Sequence, residues 1–254
     1  SSSLLSMRTE GRVWGIDVKR IDREPGLAPL DRLLDGLERQ LPLLQQTAGF
    51  EHIQHRSDLE NAVDRCKLLV MSAESLDFKD DMFDLVYSLN AFEHIPNPDL
   101  ALNEIARVLK PGGQAVILFN LLYHCDGGSH LHACGLLDVP WPQLLYSREE
   151  LRQMILEAGN TAKELDAILD SLNGWSTAQF MALFKSSSLD VEILAGSRYF
   201  TIEGSGDSPQ FAELLKRYPE EELTTVGIVA KLRKPVGGPP LNRWRDKISR
   251  ALKN

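Results

Sequence analysis

AESLDFKDDMFDLVYSLNAFEHI (residues 73–95) and ALNEIARVLKPGGQAVILF (residues 101–119) are the two stretches whose reading decides the fold. The polar turn Lys79-Asp80-Asp81 releases Phe83–Ser88, an apolar and aromatic run of strand length. Asn97 then stands where a helix is capped, and Pro98 occupies the first helical position, which needs no N–H. Leu102, Ile105 and Leu109 recur at helical spacing, and Pro111-Gly112-Gly113 stops the helix before the apolar run Gln114–Phe119. Strand, helix and strand in that order need a crossover, so the two strands are predicted to be parallel members of an α/β sheet.

The same rhythm extends upstream. Lys67–Met71 reads as another strand, and Arg12–Val18 as the first clear one, apolar almost throughout as a strand buried on both faces should be. Between them lie a helix carrying Leu30, Leu33, Leu34, Leu37 and Leu41, and a shorter one opened by the capping box Ser57-Asp58-Leu59-Glu60. Residues 1–11 read as the end of a helix stopped by Gly11. Strands 12–17, 67–71, 83–88 and 114–119 are therefore expected to lie parallel in one sheet, with helices on both faces. Downstream the rhythm breaks. Residues 120–146 are loop-like and rich in His, Gly and Pro, and helices are expected at about 147–158, 161–172 and 177–186. Two strands, Asp190–Ile202 and Thr224–Leu232, close the chain, the last expected to run antiparallel.

Composition sets the outer limits. A chain of 254 residues with 43% apolar content can bury one large domain and is not disordered throughout. No apolar run approaches the ~20 residues of a membrane span, and the first residues do not read as a secretory signal. Three cysteines, Cys66, Cys125 and Cys134, make no disulfide framework, so a reducing, cytoplasmic setting is expected. The net charge is −8, but residues 231–254 hold eight basic residues and one acidic, leaving −15 on the first 230. So acidic a body is a poor general binder of nucleic acid.

The two opening stretches resemble the class I S-adenosylmethionine-dependent methyltransferases, in their small-molecule branch. The resemblance rests on the acidic turn, the strand beginning Phe83-Asp84, the Glu93-His94-Ile95 ending and Arg107-Val108-Leu109-Lys110-Pro111-Gly112-Gly113. Gly11–Val18 extends it to the family's second strand, and residues 1–234 as a whole fall within it. Gly128-Ser129-His130-Leu131, Pro140-Trp141 and Leu144-Leu145 are further similar to a subgroup found beside bacterial polysaccharide gene clusters. The resemblance implies a Rossmann-like fold, S-adenosylmethionine as cofactor, a small molecule or glycan as acceptor and, as the expected reaction, O-methylation.

The residues can be weighed on the same terms. An acid ending the second strand can accept both ribose hydroxyls, and Asp17 stands there. Ser72, Ala73 and Glu74 occupy the turn where the family grips adenine. Ser88, Leu89 and Asn90 end the fourth strand beside the methionine moiety, although Asn90 would serve equally as a turn cap. The family's glycine loop lies about 20 residues before the acid, which places it at or before Ser1. The chain is accordingly read as lacking that loop and the first, central strand, and expected to bind cofactor weakly by itself. Glu203-Gly204-Ser205-Gly206-Asp207 looks like the loop but has no parallel strand after it, and reads as a turn.

Methyl transfer to oxygen benefits from a base. His130 is the first candidate, on a segment, Leu121–Tyr146, expected to fold over the mouth of the cofactor pocket. His94, in the Glu-His-Ile turn, is the second and equally a structural residue. His124, Cys125, His130, His132 and Cys134 lack the paired spacings of a zinc site, so no metal is expected. Trp141 and Tyr146 would line a substrate pocket or anchor this segment on the core. After the linker Pro235–Pro240, residues 241–254 form a basic amphipathic helix with Leu241, Trp244, Ile248 and Leu252 on one face. It suits either an anionic membrane surface or the acidic body itself. Two other functions stay open: a non-catalytic relative kept as a scaffold, and an NAD-dependent enzyme, which the Phe-Asp and Lys-Pro-Gly-Gly features disfavour.

Overall fold

A computed structural model describes residues 13–17, 54–64, 66–121, 123–128, 130–132 and 134–237. The helices read over residues 1–11 and Leu30–Leu41, and the basic helix of 241–254, lie outside the described residues. The chain divides into two compact units, Ser1–Asp77 and Phe78–Asn254.

In the first unit, β1 (Val13–Asp17) runs parallel to β2 (Cys66–Val70), with Asp17 opposite Val70. Helix α1 (Arg56–Asp64) precedes β2 and buries Leu59 completely. The start of α1 differs from the sequence reading. It begins at Arg56, and the carboxylate of Asp58 accepts the N–H groups of Gln54 and His55, each at 2.9 Å. A full negative charge in the first turn also suits the positive end of the helix.

The second unit holds β3 (Phe83–Leu89), β4 (Leu109–Asn120), β5 (Asp190–Arg198) and β6 (Thr225–Arg233) in the order β3-β4-β6-β5. β3 and β4 are parallel, joined by α2 (Pro98–Val108), which buries Ala101, Leu102, Ile105 and Val108. β6 runs antiparallel to both β4 and β5. After β4 come α3 (Pro142–Leu145), α4 (Arg148–Glu157), α5 (Ala162–Leu169) and α6 (Thr177–Ser186). Complete capping boxes, Ser147 with Glu150 and Ser176 with Gln179, open α4 and α6. Helices α7 (Pro209–Leu214) and α8 (Glu220–Thr224) are too short to show a periodic stripe in the sequence. The core of this unit includes Phe92, Phe119, Phe180 and Phe184, all buried and in mutual ring contact.

Two expectations are corrected. The four parallel strands are hydrogen-bonded as two sets, β1 with β2 and β3 with β4, because no described strand pairs with the second edge of β1 or of β3. Ile16, Leu69 and Val70 in the first unit, and Leu85, Tyr87 and Leu89 in the second, are exposed rather than covered on both faces. Pro111-Gly112-Gly113 is also not what stops the helix. Leu109 leaves the helix directly into β4 and pairs with Phe83, so residues 110–113 lie inside the strand.

Candidate functional site

The residues expected to hold the cofactor lie at the C-terminal ends of their strands, where open α/β sheets bind ligands. Asp17 is the last residue of β1. Ser72, Ala73 and Glu74, all half-buried, follow β2 in a turn in which the Glu74 N–H donates to Ser72 Oγ at 3.2 Å. That bond uses Ser72 as an acceptor and leaves its O–H to donate.

In the second unit Ser88 and Leu89 end β3, and Asn90 turns the chain in a left-handed conformation with φ of 48°. Asn90 donates its N–H to Leu118 O at 2.9 Å, and Asn120 Nδ2 reaches its side-chain oxygen at 3.4 Å. The turn role and an outward-facing amide therefore coexist in one residue.

Directly after Asn90 the 3-10 turn Phe92–His94 brings Glu93 and His94 to this end of the sheet. The two expected catalytic histidines meet here. The rings of His94 and His130 are stacked, 5.6 Å between centroids and 5° between planes. His94 Nδ1 lies 2.8 Å from Ser171 O, and since a carbonyl only accepts, Nδ1 carries the hydrogen. Partial burial, and then the neighbouring His94, hold the His130 pKa below the usual histidine value. Both causes favour the neutral form of the His130 imidazole.

Glu93 was not singled out in the sequence. It is 4% exposed, and burial raises its pKa against the opposing pull of backbone N–H groups of Glu93 and Asn120 and of His94. Its Oε1 lies 3.9 Å from His94 Nε2, and its buried Oε2 has no partner. Glu93 lines a cleft together with Leu121, Tyr123, Asn173, Trp175 and Phe180. A lone Glu beside a His in a turn carries no sequence signal of burial, which is why it escapes that reading.

The segment Leu121–Tyr146 is built into the fold rather than laid on it. Gly128, in the left-handed region at φ of 51°, packs so closely on α3 that a Cβ there would collide with the Pro142 ring. Leu131 is fully buried with Leu151, Ile155 and Leu165, and Tyr146 packs against the same cluster. Trp141 is fully buried, stacks on Phe211 and donates its indole N–H to Leu223 O at 3.3 Å. Of the two roles open to Trp141 and Tyr146, both serve as anchors.

Asp126, also unforeseen, is the tie to the far side of the sheet. Its buried carboxylate accepts Thr201 N–H, Thr201 O–H and Ile202 N–H at 3.0, 2.7 and 2.8 Å. The remaining His and Cys residues of the segment have separate surroundings. His124 Nδ1 pairs with Glu222 at 3.2 Å, His132 with Asp138 at 3.0 Å, and Cys125 is buried while Cys134 is exposed.

Residues 45–117 match the family model described as a methyltransferase domain. Over 84 residues the chain is 37% identical to sterol 4-C-methyltransferase strm-1 of Caenorhabditis elegans, covering 29% of this chain and 25% of that protein. Over 182 residues it is 30% identical to 24-methylenesterol C-methyltransferase 2 of Oryza sativa subsp. japonica, covering 68% of this chain and 50% of that one. The chain thus spans a quarter to a half of the length of these relatives. The solved structure of geranyl diphosphate C-methyltransferase from Streptomyces coelicolor A3(2) aligns with 91% of this chain and 65% of its own, at TM-score 0.47 and 11% identity. Among the described residues no helix is long and apolar enough to cross a membrane. Residues 45–117 thus carry a methyltransferase domain, whose motif lies on β3, α2 and β4 within an α/β architecture.

Proposed function

We propose that this protein transfers a methyl group from S-adenosylmethionine to an oxygen of a small molecule or glycan, with His130 as the base. The observation that carries this reading is the stacked His94–His130 pair beside the C-terminal end of β3, where one imidazole is fixed by Ser171 and burial lowers the pKa of the other. The sulfonium supplies an activated methyl group, so the protein has to align the acceptor and receive its proton. His130 takes the hydroxyl proton as the oxygen–methyl bond forms and the sulfur–methyl bond breaks. His94 positions it.

Asp17 would accept from the ribose hydroxyls, Ser72–Glu74 would offer donors to adenine, and Ser88, Leu89 and Asn90 would border the methionine moiety. A second reading, C-methylation, is favoured by the resemblance to two sterol C-methyltransferases. There the same base would remove a proton from carbon after transfer.

Calorimetry of S-adenosylhomocysteine binding to the full-length protein tests the cofactor. Asp17→Ala should lower affinity about tenfold or more, since each lost charge-assisted bond is worth about 1.5–3 kcal/mol. No binding by the native protein would favour a scaffold that has lost its chemistry. Incubation of small-molecule extracts with 13C-methyl donor then separates methoxyl from C-methyl products by their carbon resonances.

A further inference from the structure

Strand β5 stands at the end of its sheet. The order β3-β4-β6-β5 bonds it to β6 on one side, and among the described residues no strand pairs with the other side. A free strand edge offers its unpaired N–H and C=O groups to any chain that can match them. Val191 and Ile193 are large apolar residues 38% and 51% exposed, and no proline interrupts Asp190–Arg198. The irregularities of β5 against β6 fall toward its ends, so Ile193 to Ser197 keep an even register with Lys231 to Gly227. The two ends carry opposite charges. Asp190 lies opposite Arg233 and Arg198 opposite Thr225, which sets both on one face of the sheet. Glu192 is already held by Lys231 and Arg233, whereas Asp190 has no ion-pair partner among the described residues. Arg198 meets Thr224 Oγ1 at 3.2 Å and Glu220 at 3.5 Å, but its side chain is still 47% exposed and open to a second carboxylate.

We propose that β5 is a self-association surface, on which a second copy of this chain adds its own β5 antiparallel to the first about a two-fold axis at Leu194. A two-fold antiparallel pair must set one residue opposite its own copy, which leaves few registers. The register about Leu194 places Ile193 opposite Ala195 of the copy and brings Asp190 alongside Ser197 and Arg198 at both ends of the pair. The strand is thus complementary to itself, with acid against base outside and apolar residues between. A parallel copy would instead set acid beside acid and base beside base. Main-chain hydrogen bonds supply the attraction, and the sheets of the two copies become one.

Sedimentation velocity of the full-length protein across roughly a hundredfold range of concentration should show a monomer–dimer equilibrium. Ile193→Lys, which sets a cation on the edge, should weaken the dimer about tenfold or more. Asp190→Arg should weaken it similarly by setting base against base, and Asp190→Arg combined with Arg198→Asp, which exchanges the two ends, should restore it. Recovery in the double variant separates the interface from local damage to the strand. Cross-linking reads the axis, because opposite residues of an antiparallel pair lie about 4.5–5.5 Å apart at Cα, within disulfide reach. In a Cys134→Ser background, Leu194→Cys should give a disulfide-linked dimer under mild oxidation, and Val191→Cys should not. A native protein that stays monomeric throughout overturns the proposal, whether the edge is bare or covered by the protein's own chain. A dimer that neither weakens in Ile193→Lys nor cross-links in Leu194→Cys forms elsewhere and overturns it equally. Should Ile193→Lys not fold, the cross-link decides.

Discussion

The imidazoles of His94 and His130 are stacked with nearly parallel planes, 5.6 Å between centroids. One ring is pinned, since His94 donates from Nδ1 to Ser171 O. The other sits on a residue in the left-handed region, at φ of 66°, and is partly buried. Burial, and then the neighbouring His94, lower the pKa of His130.

The first prediction follows from that pairing. His130→Ala should lower turnover about 10²–10⁴-fold while leaving S-adenosylhomocysteine affinity nearly intact, if His130 is the base. In the native enzyme kcat/KM should fall as pH drops through a pKa below 6.5, because burial and His94 depress the His130 value. The sign is that of a base: activity is present above the depressed pKa and lost below it. In His94→Ala the break should move up toward 6.5, since one of the two depressing causes is gone. Full activity of His130→Ala on an oxygen acceptor would assign the base elsewhere.

Asp126 carries the second prediction. Removing its carboxylate as Asp126→Ala leaves the partly buried N–H groups of Thr201 and Ile202 without this acceptor. The expected loss of stability is about 3 kcal/mol or more, measured by urea unfolding. Thr201→Val removes only the hydroxyl bond and should cost about 1–2 kcal/mol. Similar small losses in both variants would show that the tie between this segment and the end of β5 contributes little.

The difference between what the sequence discloses and what it hides has a physical basis in these residues. The β3-α2-β4 unit is legible because periodicity, Pro98 and the apolar runs all act locally. His94 and His130 are legible as candidates because their residue type suits base chemistry. Their stacking is not, since it depends on how residues 121–131 pack after β4. Glu93 and Asp126 are hidden for the same reason: a carboxylate looks exposed in any sequence, and their burial and their partners, the Asn120 N–H in one case and the Thr201 and Ile202 N–H groups in the other, come from tertiary packing. Trp141 shows the converse, an aromatic that suits a pocket by type but is consumed by Phe211 and Leu223.

Cysteine reactivity supplies the third prediction. Burial, and then Asp126, push the Cys125 thiol up to about 12, so it stays protonated and inaccessible. Cys134 is exposed. Iodoacetamide at about pH 8 should label Cys134 in the folded protein and reach Cys125 only after denaturation. Mass spectrometry of the tryptic peptides reads the result, and rapid labelling of native Cys125 would show that the segment around Asp126 opens readily.

The last prediction concerns Gly113, in the motif by which the family is recognised. The motif reads as a helix stop, but α2 has already ended at Val108, and Gly113 sits within β4 opposite the start of β3. A Cβ at Gly113 would lie 2.9 Å from Lys110 O, 3.1 Å from Phe83 O and 3.2 Å from Asp84 O. These are backbone oxygens held by the β3–β4 pairing, which slips in register between Phe83 and Leu85, so they cannot swing aside as a side chain would. Gly113→Ala should therefore destabilise by about 1–3 kcal/mol, the usual range for forced overpacking. Gly112 differs: its φ is +82°, and a Cβ there would meet only Val236 Cγ2 at 3.3 Å. Gly112→Ala should cost about 1 kcal/mol, from backbone conformation rather than collision. Urea unfolding of both variants distinguishes the two causes, and a Gly113→Ala protein as stable as the native one would show that β3 and β4 can part at this end without loss.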